Sequence, residues 1–216
     1  MSGRRALPLP VLLDRHRAAL ADCRRCGNAP DVLPVLSQAR APRVMLVGQA
    51  PGQTEMTTRR PFNGRAGRTL FRWLERAGLD EATARARIYF AAVTRCYPGP
   101  HPSGRGDRVP TPRERALCRD WMVAELRIIR PALLVLAGRL AIDQFLPGRA
   151  LDQVVGRVHE VEHAGGRTRA LPLPHPSGAS SWFHVPANAR LLDRALVLLR
   201  EELDAIDRLD ARELAG

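Results

Sequence analysis

The sequence predicts a layered α/β domain, because short apolar runs alternate with segments of helical periodicity along the chain. The runs at 43–48 and 131–137 are almost wholly apolar, which is typical of strands that are buried on both faces of a sheet. A closing segment from about Ala189 repeats apolar residues at helical spacing as far as Ile206. The chain of 216 residues is long enough for one substantial core, so we expect a single domain over 1–216 with its core at about 11–206.

The first half of the chain alternates between helical and extended patterns. Apolar residues at helical spacing lead up to Cys23, and a later apolar strand leads to Cys96. The first strand ends in a turn rich in glycine and proline, which is where α/β sheets place their chemistry. The elements predicted here are a helix at 11–24, a strand at 43–48, a helix at 65–78 and a strand at 88–93.

The second half begins with a segment at 97–111 that is too rich in proline and glycine for regular structure, and we expect a mobile basic loop there. Thr111 and Glu114 then form a capping box, with proline at the first helical position and Cys118 in the second turn. The remaining elements predicted are this helix to about Arg130, a strand at 131–137, a short helix at 139–146, strands at 154–162 and 168–173, and the closing helix, with a polar tail after Ile206 that frays.

The charge of the chain favours a polyanionic partner. The formal net charge is +12, the pI is about 11.2, and all 34 basic residues are arginine. Arginine binds phosphate through two N–H groups and stacks on bases, so nucleic acid is the first candidate. A compositionally biased genome would produce the same excess, and acidic membrane surfaces also attract cations. No run is long enough to span a membrane and no signal peptide is evident, so we expect a cytoplasmic protein, nucleoid-associated if bacterial, without a membrane partner.

Four cysteines predict a metal centre. Cys23 and Cys26 form a C-x2-C pair, and Cys96 and Cys118 follow far downstream. Structural disulfides are rare in a reducing compartment, which favours ligands over cross-links. Thiolates suit both zinc and an iron-sulfur cluster, and the spacing alone does not separate these two possibilities.

Three further motifs follow the C-x2-C pair in a specific order. Gly-x-Ala-Pro-Gly-x-x-Glu occupies 48–55, Pro-Phe-x-Gly-x-x-Gly occupies 61–67, and His-Pro-Ser occupies 175–177, with the other two cysteines between them. From about Cys23 to the last helix, this order and spacing resemble the iron-sulfur-cluster-bearing families 4 and 5 of uracil-DNA glycosylases. The resemblance implies a three-layer α/β/α sandwich with a central, mostly parallel sheet. It also implies a [4Fe-4S] cluster, rather than zinc, on the four cysteines.

The resemblance further implies hydrolysis of the bond between a damaged base and deoxyribose, and we expect a monomer. A glycosylase must rotate the base out of the duplex, so it needs a base pocket. The family pattern implies that Gln49 and Ala50 offer backbone groups to the base and that Phe62 lies flat against its ring. A core role is the alternative for Phe62, although its place in a turn-flanked loop favours stacking. Ala92 replaces the asparagine that reads uracil in the best-known cluster-bearing family, so hypoxanthine or another deaminated base is also a candidate substrate.

Two residues are implied to act in catalysis. His175 would donate a hydrogen bond to the pyrimidine oxygen on which negative charge develops. Glu55 would orient the attacking water and favour the sugar cation. The alternatives are an ordinary loop histidine and a surface glutamate paired with Arg59 or Arg60. The other histidines have no motif around them and are expected to be structural or surface residues: His16, His101, His159, His163 and His184.

DNA contacts are implied for two groups of residues. Ser177 and Gly178 would approach the backbone closely and bind phosphate oxygens. Positive charge facing the phosphates is expected from Arg59, Arg60, Arg65, Arg105 and Arg108.

Parts of the sequence also suggest three other interpretations. A four-cysteine zinc or cluster protein with a degenerate pocket would bind DNA without catalysis. A nucleotide-binding enzyme would use 48–52 as a phosphate loop, but neither Gly-Lys-Ser/Thr nor Gly-x-Gly-x-x-Gly is present. A related branch traps uracil covalently through a histidine, and Val109 stands at about that position here. His101 in the same loop keeps this third possibility open.

Overall fold

The computed structural model describes residues 7–27, 31–104, 106–177 and 182–215. Five strands form one sheet in the order β2-β1-β3-β5-β4. Three neighbouring pairs are parallel, and only the edge strand β4 runs antiparallel to β5. The prediction of a mostly parallel central sheet is therefore confirmed. The strands are β1 (Val44–Gly48), β2 (Ile88–Ala92), β3 (Leu133–Ala137), β4 (His159–His163) and β5 (Gly166–Leu173).

Helices cover both faces of this sheet. Helix α1 packs against α5, and α3 packs against α8. The connection from β1 to β2 and the connection from β2 to β3 lead in opposite directions along the sheet. Because crossovers between parallel strands are right-handed, α3 in the first connection and α5 in the second lie on opposite faces. The helices are α1 (Leu9–Ala21), α2 (Gln53–Thr58), α3 (Arg65–Arg76), α4 (Glu81–Arg87), α5 (Pro112–Ile129), α6 (Arg139–Ile142), α7 (Leu151–Val154) and α8 (Pro186–Ala215), with a 3-10 turn at Trp182–His184.

The predicted elements occur in the predicted order, with differences in the short ones. Helices α2, α4 and α7 have six, seven and four residues, which is too short for a periodic pattern to be recognised. The helix predicted at 139–146 ends at Ile142. The strand predicted from 154 begins only at His159, because α7 occupies the preceding residues and Gly156 then turns the chain with a φ of +77°.

The prediction of a frayed tail after Ile206 is wrong, because α8 continues to Ala215. Its polar end is held by arginines that precede the strands. Asp207 pairs with Arg87, and Asp210 pairs with Arg43 at 2.8 Å. Although α8 is 30 residues long, neither it nor any other helix in the described ranges has the apolar length that a membrane crossing requires.

The topology identifies one edge of the sheet as the place for a site. The connection that leaves β1 leads to β2 on one side, and the connection that leaves the neighbouring strand β3 leads to β4 and β5 on the other. The carboxyl ends of β1 and β3 therefore flank a topological switch point. Every residue of β1 and of β3 is buried, which fixes this end of the sheet rigidly. The parallel strands bring the turn at 48–52, Ala92, Gly138 and the loop of His175 to the same edge.

Candidate active site

The ring of Phe62 lies against the carboxyl end of β1. A Cβ atom at Gly48 would come within 2.7 Å of the Phe62 ring, so glycine is what permits this contact. The ring is half-buried and also lies 5.8 Å from the ring of Phe90 on β2, measured between centroids. Phe62 therefore has features of both roles considered for it. It packs against the hydrophobic core, and it also lies on a loop beside the turn that follows β1.

Glu55 joins the strand-end turn to the Phe62 loop. Its side chain is buried, and its carboxylate accepts a hydrogen bond from the backbone N–H of Gly52 at 3.0 Å. The second oxygen accepts one from the backbone N–H of Gly64 at 2.7 Å. The surface position considered for Glu55 is therefore wrong, because its partners are two buried or half-buried backbone groups.

Arg59 and Arg60 are not the ion-pair partners of Glu55. Arg59 donates to the carbonyl oxygen of Pro34 at 2.8 Å, and Arg60 lies 3.6 Å from Glu81. The alternative of a simple ion pair between Glu55 and either arginine is therefore wrong.

A second carboxylate, from Asp107, reaches the same turn. A Cβ atom at Gly52 would lie 2.9 Å from Asp107 Oδ2 and 2.9 Å from Glu55 Oε2. Burial raises the pKa of Asp107, a hydrogen bond with the Tyr97 side chain opposes this rise, and the charge of Glu55 adds to it. Asp107 belongs to the segment in which the sequence predicted only an irregular loop, so no pattern pointed to it.

The segment expected to be a mobile loop folds back on itself as a hairpin. Pro100 and Asp107 form an antiparallel bridge, and Arg108 N–H donates to the carbonyl oxygen of Gly99 at 3.0 Å. His101 is exposed, and its Nδ1 contacts Ser103 Oγ of the same hairpin at 2.7 Å. The hairpin is how Asp107 is brought to the turn after β1.

His175 follows β5 and packs against the chain after β3. A Cβ atom at Gly138 would lie 2.8 Å from Cδ2 of the His175 ring, and Gly138 has a φ of +89° that favours glycine in any case. The backbone N–H of Ser177 donates to His175 Nδ1 at 3.2 Å, and Ser177 Oγ lies 2.9 Å from the same nitrogen. Because Nδ1 accepts this hydrogen bond, the neutral ring carries its proton on Nε2. Burial lowers the pKa of His175, which favours this neutral form near pH 7.

The residues that are expected to contact the edge of the base lie near the carboxyl end of β2. Ala92 is the partner of Gly48 in the parallel pairing of β1 with β2, and it is half-buried. The carbonyl oxygen of Gln49 accepts a hydrogen bond from Thr94 N–H at 3.2 Å. Gln49 and Ala50 are half-buried at the turn. The structure thus brings together the residues that the sequence assigned to a base pocket.

The four cysteines line a single cavity beside this edge. All four are free thiols, contributed by the end of α1, the chain after β2, and α5. Trp121 Nε1–H donates to Cys23 Sγ at 3.3 Å. Burial, together with the neighbouring thiols, raises the pKa of Cys96 to about 12. Among the described residues, no three His, Cys, Asp or Glu side chains are close enough together to hold one metal ion. The residues of the cavity are Leu20, Cys23, Cys26, Pro34, Thr94, Arg95, Cys96, Pro98, Glu114, Leu117 and Cys118.

A buried polar network connects the elements that carry these cysteines. Glu125 of α5 is fully buried and accepts a hydrogen bond from the Tyr89 hydroxyl at 2.9 Å. Arg95 forms an ion pair with the same carboxylate and also donates to the carbonyl oxygen of Ala92. His16 of α1 lies 3.2 Å from Glu125, which agrees with the expected structural role. Burial acts to raise the pKa of Glu125, but Arg95 and His16 hold it below its ordinary value.

The residues expected to contact DNA differ in their partners. Arg108 binds both carboxylate oxygens of Glu114, at 2.6 and 2.7 Å, so its charge is largely neutralised within the protein. Arg65 is exposed and makes no hydrogen bond or ion pair with another described residue. Arg105 and Gly178 lie outside the described residues.

Comparison with known proteins gives a consistent family match. The model of the uracil DNA glycosylase superfamily matches residues 34–200. A type-4 uracil-DNA glycosylase of Archaeoglobus fulgidus is 32% identical over 173 residues, which cover 76% of this chain and 81% of that protein. One of Thermotoga maritima is 33% identical over 135 residues, which cover 62% of this chain and 65% of that protein, slightly less than two thirds of its length. A DNA polymerase of Bacillus phage SP01 is 28% identical over 158 residues, which cover 16% of that protein.

Proposed function

The chain belongs to the uracil DNA glycosylase superfamily, and from this premise we propose that it is a DNA repair glycosylase, which rotates uracil or another deaminated base out of DNA and hydrolyses its bond to deoxyribose. The product is an abasic site. The observation that carries the proposal is the hydrogen bond from Ser177 N–H to His175 Nδ1, since it leaves Nε2–H as a neutral donor at the carboxyl edge of the sheet.

His175 acts on the leaving base. As the glycosidic bond breaks, negative charge develops on the pyrimidine and positive charge on the sugar. A fixed N–H group directed at the pyrimidine oxygen stabilises the transition state more than the ground state, and it needs no reorganisation when the charge appears. Gly138 allows the ring to pack closely against the chain after β3, which helps to keep the donor in place.

The base is held by stacking and by backbone groups. Phe62 supplies the aromatic surface, and Gln49 and Ala50 supply main-chain groups at its edge. Ala92 offers no hydrogen-bonding side chain where an amide would read uracil. A pocket without that polar reader discriminates less strongly among bases, because a rejected base leaves no buried side-chain group unpaired. The accepted bases therefore include uracil and extend to other deaminated bases such as hypoxanthine.

Glu55 acts at the sugar side of the bond. Each of its oxygens accepts one backbone N–H and keeps a second lone-pair direction, which is enough to orient an attacking water molecule. Its negative charge also favours the cation that develops on the sugar. The same two hydrogen bonds hold the carboxylate in a fixed position, so little further ordering is needed during the reaction.

The cavity of four thiols fits a [4Fe-4S] cluster held by Cys23, Cys26, Cys96 and Cys118. The four thiols line one cavity together, and such a donor set suits zinc as well as a cluster. The preference for a cluster rests on the resemblance to the cluster-bearing families. When bound, the cluster supplies cross-links between α1, the chain after β2, and α5, since hydrolysis of a glycosidic bond needs no electron transfer. Arg95 and Glu125 brace the same three elements from the core side.

The DNA backbone lies along α3. Arg65, Arg68 and Arg72 are exposed and recur at helical spacing on one face of this helix, which begins just after Phe62. None of the three pairs with a carboxylate among the described residues; Arg72 contacts only Thr69, at 3.3 Å. Their guanidinium groups are therefore free to bind phosphate oxygens near the base pocket. Ser177, and the predicted contacts of Gly178 and Arg105, add to this interface.

Three broader expectations stay predictions: a single domain, a monomer and a cytoplasmic location.

Single-turnover release of bases tests the proposed function. Duplexes that carry uracil, hypoxanthine or xanthine are incubated with protein of known iron and zinc content, and abasic sites are detected by cleavage in alkali. We expect release from at least the uracil duplex, and a loss of about a hundredfold or more in His175→Ala. His163→Ala is the matched control, because His163 Nδ1 also accepts a backbone N–H two residues later, from Gly165 at 3.0 Å. Iron-loaded protein that binds DNA but releases no base would contradict the proposal and favour a non-catalytic role.

A further inference from the structure

Phe62 has a backbone conformation that large side chains rarely adopt. Its φ is +51°, in the left-handed region. Among the described non-glycine residues, only Arg59 and Arg130 share this feature, and both of them end a helix, where a left-handed residue is common. Phe62 ends no helix, so another cause must hold it there.

Two contacts hold the carbonyl group of Phe62 in this conformation. The guanidinium of Arg85 donates to the carbonyl oxygen of Pro61 at 2.9 Å and to that of Phe62 at 3.4 Å. On the other side, a Cβ atom at Gly67 would lie only 1.8 Å from the Phe62 oxygen, so the loop packs directly on the first turn of α3. Only glycine permits that approach.

Arg85 is itself fixed by its surroundings. Its side chain is only 14% exposed, and its Nε pairs with Glu81 at 2.8 Å. The guanidinium lies 4.4 Å from the centre of the Phe71 ring and 6.0 Å from that of Phe90. Stacking and two carbonyl contacts use the flat, forked shape of the guanidinium, which lysine cannot reproduce.

We propose that Arg85 is a positioning residue for base excision: by binding the carbonyl oxygens of Pro61 and Phe62, it holds the Phe62 ring against Gly48 in the plane in which the rotated base stacks. Arg85 does not touch the base. The catalytic consequence rests on the proposed function, whereas the effect of Arg85 on the Phe62 ring is independent of it.

Kinetics provide the first test. Arg85→Met keeps an unbranched apolar side chain but removes the donors, and Arg85→Lys keeps the charge without the fork. We expect both to lower single-turnover base release by about tenfold or more, because a misplaced ring no longer holds the base in the reactive position. DNA affinity should change little, because contacts with phosphates supply most of it. Arg87→Met is the matched control, because it lies on the same helix and also removes an ion pair, with Asp207. This variant should release bases at the normal rate. Equal rates for Arg85→Met, Arg85→Lys and the control would overturn the proposal.

A double-variant cycle separates positioning from general destabilisation. If Arg85 acts through the Phe62 ring, then Arg85→Met has little further effect on base release in a Phe62→Ala background. Gly67→Ala should reproduce the loss by an independent route, since its methyl group displaces the Phe62 carbonyl. Independent effects that multiply in the double variant would contradict the proposal.

Fluorine NMR tests the position of the ring without any reaction. In protein labelled with 4-fluorophenylalanine, the Phe62 resonance is assigned from Phe62→Tyr. The resonance of Phe145 serves as the internal reference, since Phe62 and Arg85 make their ring contacts with Phe71 and Phe90. Arg85→Met should move or broaden the Phe62 resonance, and Arg87→Met should not. Movement of Phe71 and Phe90 alone, with Phe62 unchanged, would overturn the proposal and leave Arg85 a packing role. If the wild-type protein released no base, the proposed function would fail, and this measurement would still decide the position of the ring.

Discussion

The carboxylate of Glu55 accepts a 2.7 Å hydrogen bond from the backbone N–H of Gly64, nine residues further along the chain. Its other oxygen accepts one from Gly52. A single side chain therefore connects the turn after β1 with the loop that carries Phe62. The two segments that would contact a base are positioned relative to each other by this one carboxylate.

Substitution of Glu55 should reduce both stability and activity. Glu55→Gln keeps the size of the side chain but replaces one acceptor oxygen with an NH2 group. That NH2 group faces a backbone N–H, which therefore loses its hydrogen-bond acceptor. We expect the free energy of unfolding to fall by about 1–3 kcal/mol, measured by urea denaturation, and base release to slow. Glu75→Gln, an exposed position on α3, is the control and should change neither quantity. Normal stability in Glu55→Gln would show that the hydrogen bond lost in this variant contributes nothing to the stability of the protein.

The pH dependence of base release should reflect the neutral form of His175. Burial lowers its pKa from the ordinary 6.5, so the ring is neutral at pH 7 and stays neutral some way below pH 6.5. Protonation at Nδ1 would place a donor against Ser177 N–H and release the ring. The single-turnover rate should therefore be constant between pH 8 and 6.5 and should fall at lower pH as His175 is protonated. A rate that increases as the pH falls through this range would mean that the imidazolium form is active.

Loss of one thiol should remove the proposed iron-sulfur cluster. Cys96→Ala leaves three ligands in the cavity, so we expect a colourless, poorly soluble protein with little iron. The measurements are iron content and visible absorbance after purification without oxygen. Thr94→Ala changes a side chain of the same cavity that is not a thiol, and it should remain brown. A brown, stable Cys96→Ala protein would disprove the ligand assignment.

An amide at position 92 should narrow the range of bases. Ala92→Asn places a donor and an acceptor at the end of β2, beside Gly48. We expect the ratio of uracil release to hypoxanthine release to rise by about tenfold or more, since a polar reader rejects bases that leave it unpaired. Ala92→Leu has the same branched shape as asparagine but is apolar; it is the control and should slow both reactions without improving the ratio. The same ratio in Ala92→Asn and Ala92→Leu would exclude position 92 from base reading.

The exposed face of α3 should determine part of the salt dependence of DNA binding. Removal of one phosphate contact by Arg65→Met, Arg68→Met or Arg72→Met should reduce the slope of log affinity against log salt by about one. Arg76→Met lies on the same helix, but Arg76 already pairs with Asp193 at 2.6 Å, so its slope should stay unchanged. Equal slopes for all four variants would place the DNA backbone elsewhere.

Long elements of the fold were predictable because their patterns are local. The apolar runs of β1 and β3 and the repeating leucines of α8 each identify their element without any knowledge of the partners. The short helices α2, α4 and α7 were not predictable, since four to seven residues carry too little periodicity. The end of α8 was mispredicted because Asp207 and Asp210 are polar, and their partners before β1 and β2 are visible only in three dimensions.

The candidate site could be located from its motifs, but its supporting contacts could not. The turn after β1 and the loop of His175 stand out in the sequence as a strand-end turn and a short motif. By contrast, the roles of Arg85, Asp107 and Glu125 depend on contacts across many residues, with no local pattern to reveal them. Charge alone also did not distinguish Arg65, which has no partner among the described residues, from Arg108, which is bound to Glu114.

Helix α8 is the last element of the fold to be synthesised. This helix contributes Leu192, Leu196, Leu199 and Leu203 to the core and covers the same face of the sheet as α3. During synthesis α8 leaves the ribosome after all five strands. Until then, part of one apolar face of the nascent sheet is exposed to solvent. An exposed apolar surface of this kind favours aggregation until it is covered. A ribosome that stalls before α8 would therefore release a chain that chaperones or proteases bind, rather than a slightly shortened folded protein.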